Sequence, residues 1–265
     1  LLTVKDIVNF AAEKYGERDF CKFFRDSEIE IKNFNEFRED CFAVSRYIKT
    51  IEKEKMHIAF IGKTSYEYIA CLTGMICSGN VVVPFDPNIS VEEACLLFDD
   101  ADIQMLFCEE EFLGKAEEIQ KTYKGIRQVV SLGDWHWFDN IFKTYSAESE
   151  YAHLSDIEID PYEGSLIIYT SGTTGFPKGV MLTHYNVVNN GKYIGDHMEL
   201  STADRMMIQV PMFHCFGMVL SMTASMTHGA TMCPLPYFSP KPALSCINSE
   251  HITAFNGVPT MFIAM

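Results

Sequence analysis

From Thr170 to Gly179 the chain reads TSGTTGFPKG, ten residues holding three Gly, three Thr, one Ser, one Pro and one Lys. Glycine accepts positive φ and carries no side chain, so consecutive backbone N–H groups in such a loop can turn toward one anion. The hydroxyls of Thr170, Ser171, Thr173 and Thr174 add donors, and Lys178 adds a single mobile positive charge. The natural guest is a phosphate. The loop is not a Walker A sequence, because Pro177 precedes Lys178 and Gly179 follows it, and the chain holds no G-x-G-x-x-G dinucleotide fingerprint.

A loop of this kind needs a rigid strand behind it. SLIIYT (165–170) reads as that strand and GVML as a short return strand, with Thr183 placed to cap the helix of HYNVVNNGKYIGDHM. Upstream, strand and helix patterns alternate. HIAFIG, VVVPFD, IQMLFC and RQVVSL are short apolar runs, separated by the helical stretches SYEYIACLTGMICSG, SVEEACLLFDDAD and FLGKAEEIQKTY. Ser90 with Glu93 has capping-box spacing. Downstream come strand RMMIQV, helix HCFGMVLSMTASMTHG, strand TMCPL, helix KPALSCINSEH, strand ITAFNGV and the start of a helix at PTMFIAM. This rhythm predicts an α/β fold: layered, mainly parallel sheets flanked by helices. The opening residues predict an amphipathic helix with Val4, Ile7, Val8, Ala11 and Tyr15 on one face, while 134–164 lacks a period and reads as a short helix plus an acidic connection anchored by Trp135 and Trp137.

Composition narrows the function classes. The net charge of −15 argues against nucleic acid or an anionic membrane as a partner. Residues 161–265 hold 5 acids and 4 bases, against 31 and 17 in 1–160, so the second part reads as interior or as lining a pocket. Nine scattered cysteines without C-x-x-C spacing suit reduced thiols in a cytoplasmic setting rather than a disulfide framework or structural zinc. The charge-free stretches Tyr68–Phe85 and Met206–Pro240 are interrupted by Gly79-Asn80 and by prolines, and read as buried α/β pieces rather than membrane spans. Glu109–Glu111 reads as a solvated turn. Met218, Met222 and Met226 form a stripe that suits either core filling or a flexible apolar pocket.

YTSGTTGFPKGVMLTHYN resembles, at every specified position, the signature of the adenylate-forming (AMP-binding) enzymes: acyl-CoA synthetases, luciferases and peptide-synthetase adenylation domains. Nine fixed positions would arise by chance about once in 10^10 starts at average residue usage. PMFHCFG (211–217) is similar to the family's second core motif, GVPTMF (257–262) to the segment on the carboxylate side, and GVMLTHYNVV looks most like a fatty-acid or medium-chain acyl-CoA synthetase.

The resemblance implies roles residue by residue. Thr170 would help ligate magnesium on the triphosphate. Ser171, Gly172, Thr173, Thr174 and Gly175 would wrap its phosphates, and Lys178 would steady them as pyrophosphate leaves. His214 would stand at the junction of nucleotide and acyl pockets, with Phe213, Gly257, Val258 and Pro259 on the acid's side. The implied substrates are ATP, a carboxylic and by resemblance fatty acid, and coenzyme A. A carrier-protein thiol as acceptor, or a non-catalytic nucleotide-binding module, are the alternatives. Family members run to about twice this length, so the resemblance implies an incomplete N-terminal domain without the small C-terminal domain. It implies a first α/β subdomain over 55–200 and a partial second one from 1–50 plus 201–265. Such a piece is expected to be inactive alone and to self-associate through an incomplete sheet edge.

Overall fold

The computed structural model describes residues 2–25, 28–170 and 175–265. In chain order the elements are α1 (Val4–Tyr15), β1 (Asp19–Arg25), β2 (Glu28–Asn33), α2 (Phe34–Ile51), β3 (His57–Ile61), α3 (Tyr66–Cys77), β4 (Val81–Phe85) and α4 (Val91–Asp100). Next follow β5 (Met105–Cys108), α5 (Leu113–Thr122), β6 (Gln128–Ser131), α6 (Trp135–Thr144), β7 (Gly164–Thr170), β8 (Lys178–Thr183) and α7 (His184–His197). The rest comprises β9 (Arg205–Ile208), the short α8 (Cys215–Gly217), a π-helical turn at Met218–Thr223, α9 (Ala224–His228), β10 (Thr231–Pro234), α10 (Pro240–Ser249), β11 (Ala254–Phe255) and α11 (Pro259–Ala264). The fold is α/β, and its two sheets are mostly parallel.

The chain divides into two compact units, one of Leu1–Arg38, Thr64–Ile69 and Tyr185–Met265, the other of Glu39–Lys63 and Ala70–His184. In the second unit six strands lie in the order β6-β5-β3-β4-β7-β8, parallel except for β8, which runs antiparallel to β7 at the edge. The inner strands β4 and β5 are buried along their whole length, which is why they read as unbroken apolar runs. Ala59, Ile61, Val83, Phe85, Phe98, Leu106 and Ile167 belong to one core cluster. Each large apolar side chain buried there contributes about 1.5–3 kcal/mol. The aperiodic stretch is fixed by polar as well as apolar contacts: Arg46, buried on α2, donates to Tyr145 O (2.8 Å) and Ser155 Oγ (3.2 Å), and Phe138 and Ile141 are buried. Burial pushes this guanidinium below its ordinary value. Asp134 caps α6 by accepting from His136 N–H, and the Trp137 ring meets Tyr47 edge-on at 5.7 Å. The Trp135 side chain lies outside the described atoms.

In the first unit five strands lie in the order β11-β9-β10-β1-β2. β1 pairs parallel with β10 at Cys21↔Met232, although more than 200 residues separate them, and β2 closes the edge antiparallel. Thr3 caps α1 reciprocally with Asp6, and Val4, Ile7, Val8, Ala11, Ala12 and Tyr15 form its buried face. Beneath β1 the rings of Phe20, Phe34, Phe37 and Tyr66 form a continuous aromatic layer, with Phe20 stacked on Phe37 at 3.8 Å. Met218, Met222 and Met226 are all buried, so the stripe fills core.

Candidate functional site

The glycine loop is carried by the β7–β8 hairpin in the second unit. The antiparallel ladder runs from Gly164↔Thr183 to Thr170↔Lys178, so Thr170 and Lys178 face each other as the last pair before the loop. Thr170 Oγ1 donates to Lys178 O at 3.5 Å. Lys178 is exposed and makes no ion pair among the described residues. Gly175 adopts φ +98°, a conformation that glycine reaches without strain, and among the described residues no atom lies within 4 Å of a Cβ placed there. Ser171, Gly172, Thr173 and Thr174 lie outside the described residues.

Tyr169 locks the mouth of this hairpin from the side. Its ring stacks on Phe85 at 5.8 Å, and its hydroxyl lies 2.7 Å from Asp100 Oδ2 and 3.0 Å from Leu97 O, both acceptors. Burial, reinforced by the hydrogen bond and charge of Asp100, drives the phenol far above its ordinary range, so it remains a donor at any working pH. Gly179 faces Tyr169 across the ladder, and a Cβ there would come within 3.3 Å of the ring.

In the first unit, two turns leave the carboxyl ends of neighbouring parallel strands, where ligands of open α/β sheets characteristically bind. One follows β9 and carries Phe213 and His214; the other follows β11 and carries Gly257, Val258 and Pro259. His214 is exposed and extended (φ −119°, ψ 150°) and caps α8, its Nδ1 accepting from Phe216 N–H at 3.2 Å. That donation leaves the neutral ring with its proton on Nε2. Phe213 is half-buried and Val258 exposed, while Pro259 starts α11 at the first position, where a missing N–H costs nothing. Gly217 closes the first turn: a Cβ on it would lie 2.5 Å from Pro211 O and 2.9 Å from Val210 O.

The structure thus brings Thr170, Gly175 and Lys178 to one hairpin and Phe213, His214 and Gly257–Pro259 to one sheet end. Sequence reasoning missed Tyr169, Gly217 and Asn256, which act by packing or long-range hydrogen bonding. The aromatic before the first loop Thr and the Gly closing HCFG were visible as types, but their partners were not. A separate cavity of about 460 Å³, lined in part by Lys14, Tyr15, Lys192, Asp196, Thr227 and His228, sits at the amino ends of β9 and β10, the opposite end of that sheet from His214. Glu110 and Glu111 are engaged with Ser131 and Lys63, and among the described residues no group of three or more His, Cys, Asp or Glu could hold a metal ion.

Residues 9–265 match the family described as AMP-binding enzyme. The chain belongs to the AMP-binding enzyme family. A protein of Bacillus subtilis (strain 168) bearing the acyl-CoA synthetase name YngI is 30% identical over 289 residues, covering 99% of this chain and 52% of its own length. The mitochondrial medium-chain acyl-CoA ligase ACSF2 of Rattus norvegicus is 43% identical over 107 residues, 38% of this chain and 17% of that protein. The crystal structure of a long-chain-fatty-acid-CoA ligase, FadD1, from Archaeoglobus fulgidus shares the fold at a TM-score of 0.88 and 23% identity, over 99% of this chain and 52% of that one. The chain spans about half the length of YngI and of FadD1. Among the described residues no helix is long and apolar enough to cross a membrane.

Proposed function

We propose that this AMP-binding chain is the N-terminal part of an ATP-dependent carboxylic acid–thiol ligase, and that its acid is a fatty or medium-chain acid. The observation that carries the reading is the Thr170↔Lys178 pair at the mouth of the β7–β8 hairpin, with a lysine that makes no ion pair among the described residues and a hydroxyl at the two ends of a glycine loop. The acyl-CoA ligase names of its relatives supply the class of acid and acceptor.

The residues present fit a triphosphate. Lys178 offers a cation with no competing carboxylate among the described residues, and Gly175 leaves its backbone open to close approach. A magnesium ion would neutralise phosphate charge, and the Thr170 hydroxyl is the group here that would hold it. An ion that takes most of its ligands from phosphates and water needs no carboxylate cage.

A carboxylate oxygen of the acid attacks the α-phosphorus of ATP, forming the acyl-phosphate bond. The bond to the bridging oxygen breaks, and its electron pair leaves with pyrophosphate, beside Lys178. Catalysis of this step is positioning and charge neutralisation. By the family resemblance, Phe213, His214, Gly257, Val258 and Pro259, at one end of the sheet of the first unit, are the residues assigned to the acid. The thiol of coenzyme A then attacks the acyl carbon and AMP leaves.

The test is pyrophosphate release by the protein from its complete reading frame, with ATP, magnesium and a panel of fatty and aromatic acids. Release should depend on the acid and fall about 10^2–10^3-fold in Lys178→Ala, with a smaller loss in Thr170→Ala. Acyl transfer to coenzyme A, against hydroxylamine trapping alone, separates a coenzyme A ligase from an enzyme serving a carrier protein. Acid-independent release, or full activity in Lys178→Ala, would refute the reading.

A further inference from the structure

A polar relay, part-buried along most of its length and exposed at His214, joins the two turns of the first unit. Gln209 Nε2 donates to Asn256 O (3.5 Å), and Asn256 Nδ2 donates to Ser221 Oγ (2.9 Å) and Leu220 O (3.3 Å). Ser221 Oγ donates to Phe216 O (3.1 Å), and Phe216 N–H donates to His214 Nδ1 (3.2 Å). The relay passes through Asn256, one residue before Gly257, and ends on the His214 ring.

Its middle is the π-helical turn. A π turn holds one residue more than an α-turn, and such turns recur at functional sites. Here the hydroxyls of Ser221 and Thr223 bond back five residues, to Phe216 O and Met218 O, whereas Ser225 one turn later bonds back four, to Ser221 O. Serine can serve either register, so the hydroxyls do not decide between them. Asn256 does: its two amide protons go to the Leu220 carbonyl and the Ser221 hydroxyl as the π register presents them. Relaxing the turn to α would remove one residue and rotate everything before it by about 100°. The segment before it is α8 with its cap, His214.

We propose that Asn256 is a positioning residue that pins the π turn and so holds the His214 ring and the Gly257–Pro259 turn in one arrangement for the acid. This rests on the ligase reading for its catalytic consequence and on geometry alone for the coupling.

In the complete protein, Asn256→Ala and the isosteric Asn256→Asp, which gives up both donations, should lower kcat/KM for the acid about tenfold and leave KM for ATP within about twofold. Ser221→Ala should act in the same direction, and the double variant Ser221→Ala/Asn256→Ala should be no worse than Asn256→Ala, because the two act in series. Equal losses in the acid and ATP parameters, additive losses, or no loss would overturn the proposal. A readout independent of turnover is the 15N signature of histidine-labelled protein. The wild-type His214 ring should show a bare Nδ1 and a protonated Nε2, and its signals should shift in Asn256→Asp and Ser221→Ala while those of the other histidines stay. If His214 responds but the wild-type protein releases no acid-dependent pyrophosphate, the coupling stands and the ligase reading fails. If the His214 signals do not move, the proposal fails whatever the activity.

Discussion

Gly217→Ala sets two physical effects against each other. Gly217 is helical (φ −76°, ψ −48°), so alanine meets no backbone objection and helix propensity alone would stabilise the variant by about 1 kcal/mol. Sterically the substitution is blocked: the new Cβ would sit 2.5 Å from Pro211 O and 2.9 Å from Val210 O, both main-chain atoms that cannot rotate away. Restoring ordinary contact requires the Val210–Pro211 backbone to retreat by roughly 0.9 Å in a segment whose neighbours Gln209, Val210 and Met212 are buried. Overpacking of this kind costs about 3 kcal/mol, leaving a net loss near 2 kcal/mol. For a chain of this size that lowers the thermal midpoint by about 4–8 °C. Thermal unfolding followed by near-ultraviolet circular dichroism measures it, with Gly114→Ala as the control. Nothing lies within 4 Å of a Cβ at Gly114, on helix α5, so there the midpoint should rise slightly. A Gly217→Ala midpoint equal to or above wild type would mean that propensity wins, and that the close approach of α8 to the β9 exit does not hold the His214 turn.

Three further outcomes follow from the same geometry. Arg46→Met removes both donations to the 134–164 connection at about 2–3 kcal/mol, and limited proteolysis should then cut between Tyr145 and Ser155 before the rest of the chain. Tyr169→Phe leaves Leu97 O and Asp100 without their phenol donor and should cost about 1–2 kcal/mol in urea unfolding. Burial, chiefly, raises the Cys108 and Cys233 thiols from 9.0 to about 12. Unfolded thiols release protons above about pH 9 while the folded ones keep theirs, so their contribution is complete below pH 9 and is lost between about pH 9 and pH 12, with a slope of up to ~1.4 kcal/mol per pH unit for each. Iodoacetamide at pH 8.5 should therefore spare both thiols in native protein and modify both in urea; native labelling would contradict the burial.

What the sequence makes legible is local. The strands β3, β4 and β5 lie within apolar runs bounded by turn residues, and parallel strands buried on both faces read that way. The β1–β2 hairpin is hidden because its alternation is inverted. Ile29 and Ile31 are 50% and 47% exposed, whereas the half-buried Glu30 pairs with Arg25 at 3.2 Å and Lys32 lies 5.7 Å from the Tyr66 ring. A rule that turns apolar residues inward misassigns such a strand, because its inward charges are satisfied by partners that only the fold supplies.

The same distinction runs through the candidate site. Thr170 and Lys178 are legible because a phosphate loop is defined by residue types within one short stretch, and type and spacing are what a sequence displays. The helix after His214 reads as one continuous element. The α8–π–α9 break within it depends on an amide 35 residues further along the chain, since Ser221 is equally compatible with either helical register until Asn256 meets it. Groups that bind are therefore visible in order along the chain, while groups that aim them become visible only once β9 and β11 lie side by side. On that argument, exchanging Asn256 should leave the hairpin and its affinity for ATP untouched and alter only how the acid is held.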